Sequence, residues 1–263
     1  MTRVVLLDGL RPVDPTEPVL RADDLGVVRG EAVFETLRVV DGQPCFLAEH
    51  LERFAASAAR LEIALADGFD ELALKTAAGV ADAGLRLTMT KGGVGFAVLF
   101  DVAPDTVAGR AGISVVTLPL GVPSDFRRTA PWLLGGVKST SYAVNMASAR
   151  EAHARGADDA IWTSTDGYVL EAPTSSVVAL VDGGWVTPPV ESGILPGTTL
   201  RACSALVPVT PRPLTVEALA EAEEVALLSS VRGVAPVTSL DGRPLSTTKA
   251  LELQAVFEQS LRG

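Results

Sequence analysis

One lysine has the type and setting for chemistry. Of the 22 lysines and arginines only four are lysines, Lys75, Lys91, Lys138 and Lys249, so where charge alone is wanted this chain uses arginine. Lys138 lies in Trp132-Leu-Leu-Gly-Gly-Val-Lys138-Ser-Thr-Ser-Tyr142-Ala-Val-Asn145, between an apolar run ending in two glycines and an uncharged stretch opening a helix. An amine in poorly solvating surroundings loses proton affinity and becomes a nucleophile toward a carbonyl. Read alone, the segment fits a surface lysine at a strand end equally well. A second polar group is Phe34-Glu35-Thr36-Leu37-Arg38. Strand alternation puts Phe34, Thr36 and Arg38 on one face and Val33, Glu35, Leu37 and Val39 on the other. Two polar residues on one face suggest a wet cleft. The plainer alternatives are a half-exposed hairpin and an Arg38 paired with an acid of the same half.

These groups need elements to hold them. Residues 3–8 read as a strand turning at Asp8-Gly9, and residues 17–24 as a loop. Val33–Val40 forms a strand that turns at Asp41-Gly42 into the return Gln43–Phe46. Leu47, Leu51, Phe54, Ala58 and Leu61 share a helical stripe over 47–64, carrying His50 and Arg53 near its start. A second helix is expected over 69–83, then strands near 85–91, 95–102 and 112–117, with a turn at Gly92-Gly93. Pro119, Gly121 and Pro123 mark residues 118–125 as a linker between domains 1–117 and 126–263. Beyond it come a helix over 143–155 ending at Gly156, hairpins 160–163/168–171 and 176–181/185–187, and a helix over 198–206 entered through Gly197. Strands at 225–228 and 234–240 precede a last helix capped by Ser246 and reaching about residue 261.

Composition narrows the classes. With 263 residues the chain can bury a sizeable core, and 48% hydrophobic with 21% charged residues is ordinary globular usage. The net charge of −10 argues against nucleic acid, which needs a basic face, but leaves room for a small anionic ligand. Two cysteines and two histidines are too few for a disulfide framework or a zinc site, so no metal is expected. No run approaches a membrane span and no leader is evident; a soluble, cytoplasmic protein is expected.

Several stretches, in order, resemble the fold-type IV pyridoxal-phosphate enzymes, the class IV aminotransferase family. They are Gly30-Glu-Ala-Val-Phe-Glu-Thr-Leu-Arg38, His50-Leu-Glu-Arg-Phe54, Lys138 with Tyr142, Gly156-Ala-Asp-Asp-Ala160, Gly167-Tyr-Val-Leu-Glu171, Thr187-Pro-Pro189, Leu195-Pro-Gly-Thr-Thr-Leu-Arg201 and Ala235-Pro-Val237. The resemblance implies two α+β domains, a small N-terminal one and a larger one with a barrel-like sheet, and a homodimer. It implies pyridoxal 5'-phosphate as cofactor, with Lys138 binding it covalently and then moving a proton. Glu171 would face the pyridine nitrogen and keep it protonated, Tyr142 the ring oxygen, and Leu195 the ring plane. Arg53, a planar fork of donors, would hold the phosphate with Gly197, Thr198, Thr199 and Ser230. By the same resemblance Thr36 joins Lys138 as catalytic, and Arg38 and Val231 touch substrate, with Arg86, Arg127 and Arg128 as weaker carboxylate candidates.

Within the family the chain departs from D-amino-acid transaminases. Ser141 stands where lyases and D-transaminases usually carry Asn, Ser176 stands where the family often has Asn, and no arginine–histidine pair accompanies Lys91-Gly92-Gly93. Short length, the 33-residue step from Lys138 to Glu171, and Thr36 after Phe34-Glu35 look most like aminodeoxychorismate lyase. That implies a small anionic substrate with an amino group, loss of pyruvate, and 4-aminobenzoate for folate synthesis. An amino-acid aminotransferase of branched-chain or D type is the alternative.

Overall fold

The computed structural model describes residues 2–262, which form two compact units. The first runs through Ala103 and recovers Val137–Tyr142; the second comprises Pro104–Gly136 and the chain from Ala143 onward. No helix among the described residues is long and apolar enough to cross a membrane.

The first unit contains β1 (Arg3–Leu6), β2 (Arg11–Val13), α1 (Leu25–Val28), β3 (Ala32–Val40), β4 (Gln43–Pro44), α2 (Leu47–Arg60), α3 (Phe69–Ala77), β5 (Asp82–Thr90) and β6 (Gly95–Phe100). Its sheet is antiparallel, in the order β2-β1-β6-β5-β3-β4. The β3–β5 pairing runs nine residues in unbroken register, from Ala32↔Thr90 to Val40↔Asp82. Val33, Leu37 and Val39 share a core with Leu85, Leu87 and Leu99 of the sheet and Phe54, Phe69 and Leu72 of the helices. Glu35, on the same alternating face, is the carboxylate inside that core, fully buried.

The second unit adds α4 (Pro104–Ala108), β7 (Ile113–Pro119), α5 (Phe126–Thr129), α6 (Ala143–Ala154), β8 (Asp159–Thr163), β9 (Ser176–Val181), β10 (Gly184–Thr187), α7 (Thr198–Leu206), β11 (Val209–Pro211), α8 (Val216–Glu221), β12 (Glu224–Ser229), β13 (Gly233–Leu240), β14 (Arg243–Pro244) and α9 (Thr248–Ser260). The main sheet path is β11-β10-β9-β12-β13-β7-β8. Its two edges are joined by one segment. Ser164 and Leu170 N–H groups bond to Tyr168 and Trp162 carbonyls beside β8, while Val169 and Val216 N–H groups bond to Leu214 and Gly167 carbonyls beyond β11. A sheet whose edges are bridged in this way leaves few free backbone donors and approaches a barrel.

Several elements differ from the sequence reading. Residues 118–125 are not a linker: Leu118 and Pro119 finish β7, which pairs in parallel with β8, and Ile113 and Val115 join the second unit's core. The strand expected at 112–117 therefore belongs to the second unit, and the division falls after Ala103. Helix α3 ends at Ala77, not 83, because residues from Asp82 pair with β3 and Gly79 takes φ +75°. Helix α2 ends at Arg60, with Glu62 at φ +52°. Strand β2 and helix α1 were not foreseen; Asp24 caps α1 by accepting the Gly26 N–H at 2.7 Å. At α9 the capping oxygen is not Ser246: buried Glu224 accepts the Ala250 N–H at 2.8 Å, and Ser246 donates to that carboxylate.

Candidate active site

Lys138 is held on β3. The Phe34 N–H donates to its carbonyl at 3.2 Å and the Thr140 N–H to the Ala32 carbonyl at 2.9 Å, so residues 138–140 lie as a short strand along the start of β3. The Nζ of Lys138 stands 3.0 Å from the Tyr142 hydroxyl and 4.4 Å from the centroid of the Phe34 ring. Tyr142 meets Phe34 edge to face at 5.0 Å. Arg86 of β5 lies over the same Phe34 ring at 4.9 Å, and its Nε points to the Thr36 hydroxyl at 3.4 Å. Lys138, Tyr142, Phe34, Thr36 and Arg86 thus form one cluster, built by the alternation of β3 and its register with β5. Arg86 is solvent-accessible and has no carboxylate partner among the described residues.

The neighbouring arginines Arg38 and Arg53 each meet a carboxylate of the first unit. Arg38 is buried and makes a two-point pair with Asp82, Nε to Oδ1 at 3.1 Å and Nη2 to Oδ2 at 3.2 Å. Arg53 donates from Nε and Nη2 to the two Glu35 oxygens, each at 2.7 Å, and His50 Nδ1 donates to Glu35 at 2.6 Å. Burial alone would push the Glu35 carboxyl up, but the Arg53 and His50 hydrogen bonds outweigh it and hold it at about 2. Burial pushes the His50 imidazole below its ordinary value against the upward pull of Glu35, so its Nδ1–H donates as a neutral ring. Helix α2 therefore presents Arg53 with its guanidinium fixed from behind.

In the second unit, Glu171 follows the edge-joining segment and is half-buried; its Oε2 accepts the Leu195 N–H at 3.1 Å. Two residues on, Gly197 opens α7 with no side-chain cap. A Cβ on Gly197 would come within 2.2 Å of Ser176 Oγ, so only glycine lets the chain pass there undisturbed. Thr198 and Thr199 are both buried in the first turn, and the Thr198 hydroxyl lies 3.4 Å from that of Ser230. Buried hydroxyls in the first turn, where the helix dipole is positive, are an arrangement that attracts an anion. Val231 contributes its carbonyl to Arg110 at 2.9 Å.

The fold defines an enzyme of fold type IV, with an amine-bearing cluster in one unit and, in the other, a half-buried carboxylate and a helix start lined with hydroxyls. The amino-transferase class IV family matches residues 32–240, and the chain belongs to that family. It is 39% identical to the bifunctional aminodeoxychorismate lyase / D-amino acid transaminase of Mycobacterium tuberculosis, over 96% of each chain. Among solved structures it is similar to the fold IV-transaminase of Curtobacterium pusillum, with TM-score 0.92 and 37% identity over 98% of this chain and 99% of that one. It is also similar to the pyridoxal-phosphate-bound form of a hypothetical aminotransferase from M. tuberculosis, with TM-score 0.93 and 35% identity over 99% of each.

Sequence reasoning missed some of this arrangement. Glu35 and His50 carried a motif but no role, although His50 and Arg53 stand three residues apart on a helix facing the Glu35 side of β3. Arg86 ranked below Arg38, because only the register Arg38↔Gly84 and Val40↔Asp82 brings Asp82 within reach of Arg38.

Proposed function

We propose that this enzyme is a 4-amino-4-deoxychorismate lyase that uses pyridoxal phosphate and releases pyruvate and 4-aminobenzoate. The observation that carries the reading is that the Lys138 amine and accessible Arg86 both lie against the Phe34 ring. The substrate offers an amino group to be activated and carboxylates to be held, and this cluster supplies a base and a cation for them.

Each unit carries donor types that suit the cofactor: a lysine amine and a tyrosine hydroxyl in the first, a half-buried carboxylate and a helix start lined with hydroxyls in the second. Bound there, pyridoxal phosphate would supply an aldehyde for the amines and a ring that accepts an electron pair. Lys138 would hold it through its side-chain amine and, once freed, would serve as the base for the proton on the substrate carbon that bears the amine. Tyr142 orients the Lys138 amine through its hydroxyl, and Thr36 flanks Arg86. Glu171 would keep a ring nitrogen protonated; Arg53, Gly197, Thr198, Thr199 and Ser230 would hold the phosphate; Leu195 would lie against the ring. Arg86 is our principal carboxylate residue, with Arg38 held back by Asp82 and Val231 at the substrate edge.

A second reading, D-amino-acid transamination, is favoured by the two activities named for the mycobacterial relative. It shares the proton removal at Lys138 and differs in where the proton returns. Incubation with aminodeoxychorismate, and separately with D- and L-amino acids plus 2-oxoglutarate, separates the readings. Pyruvate and 4-aminobenzoate in equal amounts support the lyase, and amino transfer without them overturns it.

We carry a homodimer and a cytoplasmic location as part of the same proposal. Helix α6 exposes Val144 and Met146, and α1 exposes Leu25, Val27 and Val28, apolar surface of the kind a second copy covers. Sedimentation and cell fractionation test the two points.

A further inference from the structure

We infer that Ser57 is a positioning residue that fixes the Lys138 backbone from helix α2. The inference rests on Lys138 being the cofactor lysine. Pairing with β3 uses the carbonyl of Lys138, and no β3 carbonyl accepts its N–H. The N–H instead donates to Ser57 Oγ of α2 at 3.1 Å. Ser57 is 1% exposed, so the accepting hydroxyl is shielded from solvent.

Serine and threonine inside a helix usually turn their hydroxyl back to the carbonyl four residues earlier. Thr76 does so to Leu72 at 2.6 Å and Ser204 to Leu200 at 2.8 Å. Ser57 instead receives a donor from a segment 81 residues away. It lies on the inward stripe of α2 with His50 and Arg53, all three buried. The helix that fixes Arg53 through Glu35 therefore also fixes the backbone of Lys138. Both ends of the amine-bearing segment's frame, a strand and a helix, are rigid elements.

A reacting amine tolerates little displacement, and an error of about 1 Å can cost roughly 100-fold in rate. Removing the Ser57 hydroxyl frees the Lys138 N–H and loosens the Cα from which its side chain projects. Binding of the cofactor's phosphate does not use this bond. Ser57 thus governs how fast and in what geometry the lysine bonds to the cofactor, not how tightly the phosphate is held.

The test compares wild type, Ser57→Ala, Ser57→Thr and Lys138→Ala. Each apoprotein is mixed with pyridoxal phosphate; the rate of appearance of the visible band and its circular dichroism are recorded, with apoprotein Tm as a folding check. In Ser57→Ala the rate should fall about tenfold or more, with changed dichroism and a total cofactor load near wild type. Ser57→Thr, which restores a hydroxyl, should recover most of the rate. A Ser57→Ala rate within twofold of wild type, or an equal loss in Ser57→Thr at unchanged Tm, overturns the inference. Lys138→Ala separates the two levels: a colourless variant upholds the lysine assignment whatever Ser57 does, and a coloured one removes both.

Discussion

Replacing Glu35 by Gln probes the buried frame behind Arg53. The carboxylate is fully buried and receives three hydrogen bonds, two from Arg53 and one from His50. Its carboxyl is held at about 2 in place of 4.5. At about 1.4 kcal/mol per pH unit, the ionised form contributes on the order of 3 kcal/mol at neutral pH. Because the folded value is depressed, that stability is fully present above pH 4.5 and is lost as pH falls toward 2. His50 acts in the same direction, since burial lowers its value and the neutral ring is favoured above 6.5. Glutamine keeps the shape but turns an amide donor toward two donors and leaves the Arg53 charge without its counter-ion, a change of roughly 3–5 kcal/mol. Thermal unfolding by far-ultraviolet circular dichroism should show Glu35→Gln lowered by about 10 °C at pH 7. The gap should close as the wild type is acidified. Trp132, Trp162 and Trp185 all lie in the second unit, so their emission serves as an internal reference. Asp82→Asn is the control: its pair with Arg38 is 43% exposed on the acid side and should be worth less than about 1 kcal/mol. A gap below 1 kcal/mol at pH 7, or one unchanged down to pH 3, would refute the reasoning about this buried frame (about 1.4 kcal/mol per unit is the yardstick).

Two further outcomes are expected. Arg86→Ala should raise KM for a carboxylate substrate by about tenfold to a hundredfold, the effect of losing one charge-assisted hydrogen bond, while leaving cofactor colour intact; equal KM values would remove Arg86 from the substrate site. Glu171→Ala should bind pyridoxal phosphate more weakly and shift the Leu195 backbone that its carboxylate now holds, seen as faster loss of colour on dialysis; retention equal to wild type would separate Glu171 from the cofactor ring.

The parts of the fold written in local pattern were legible. Alternation in Val33–Val40 and the stripe of α2 named elements that exist, and Gly197 before Thr198 marked the start of α7. What sequence could not supply was pairing between distant strands. The turn-rich stretch at 118–125 looked like a domain boundary, yet parallel pairing of β7 with β8 and β13 places it inside the second unit. The helical pattern after Phe69 ran on past Ala77 because nothing local announces that Asp82–Thr90 pairs along the whole of β3. The same missing register hid the partner of Arg38 and the company kept by Arg86. Ser57 carried no local signal at all, since its partner lies 81 residues away.

The central claim is that one lysine of the four bonds covalently to the cofactor. Protein incubated with pyridoxal phosphate, reduced with borohydride and digested should carry the phosphopyridoxyl group on the peptide containing Lys138. Label on Lys75, Lys91 or Lys249 in its place, or no label on any of the four, would contradict the account.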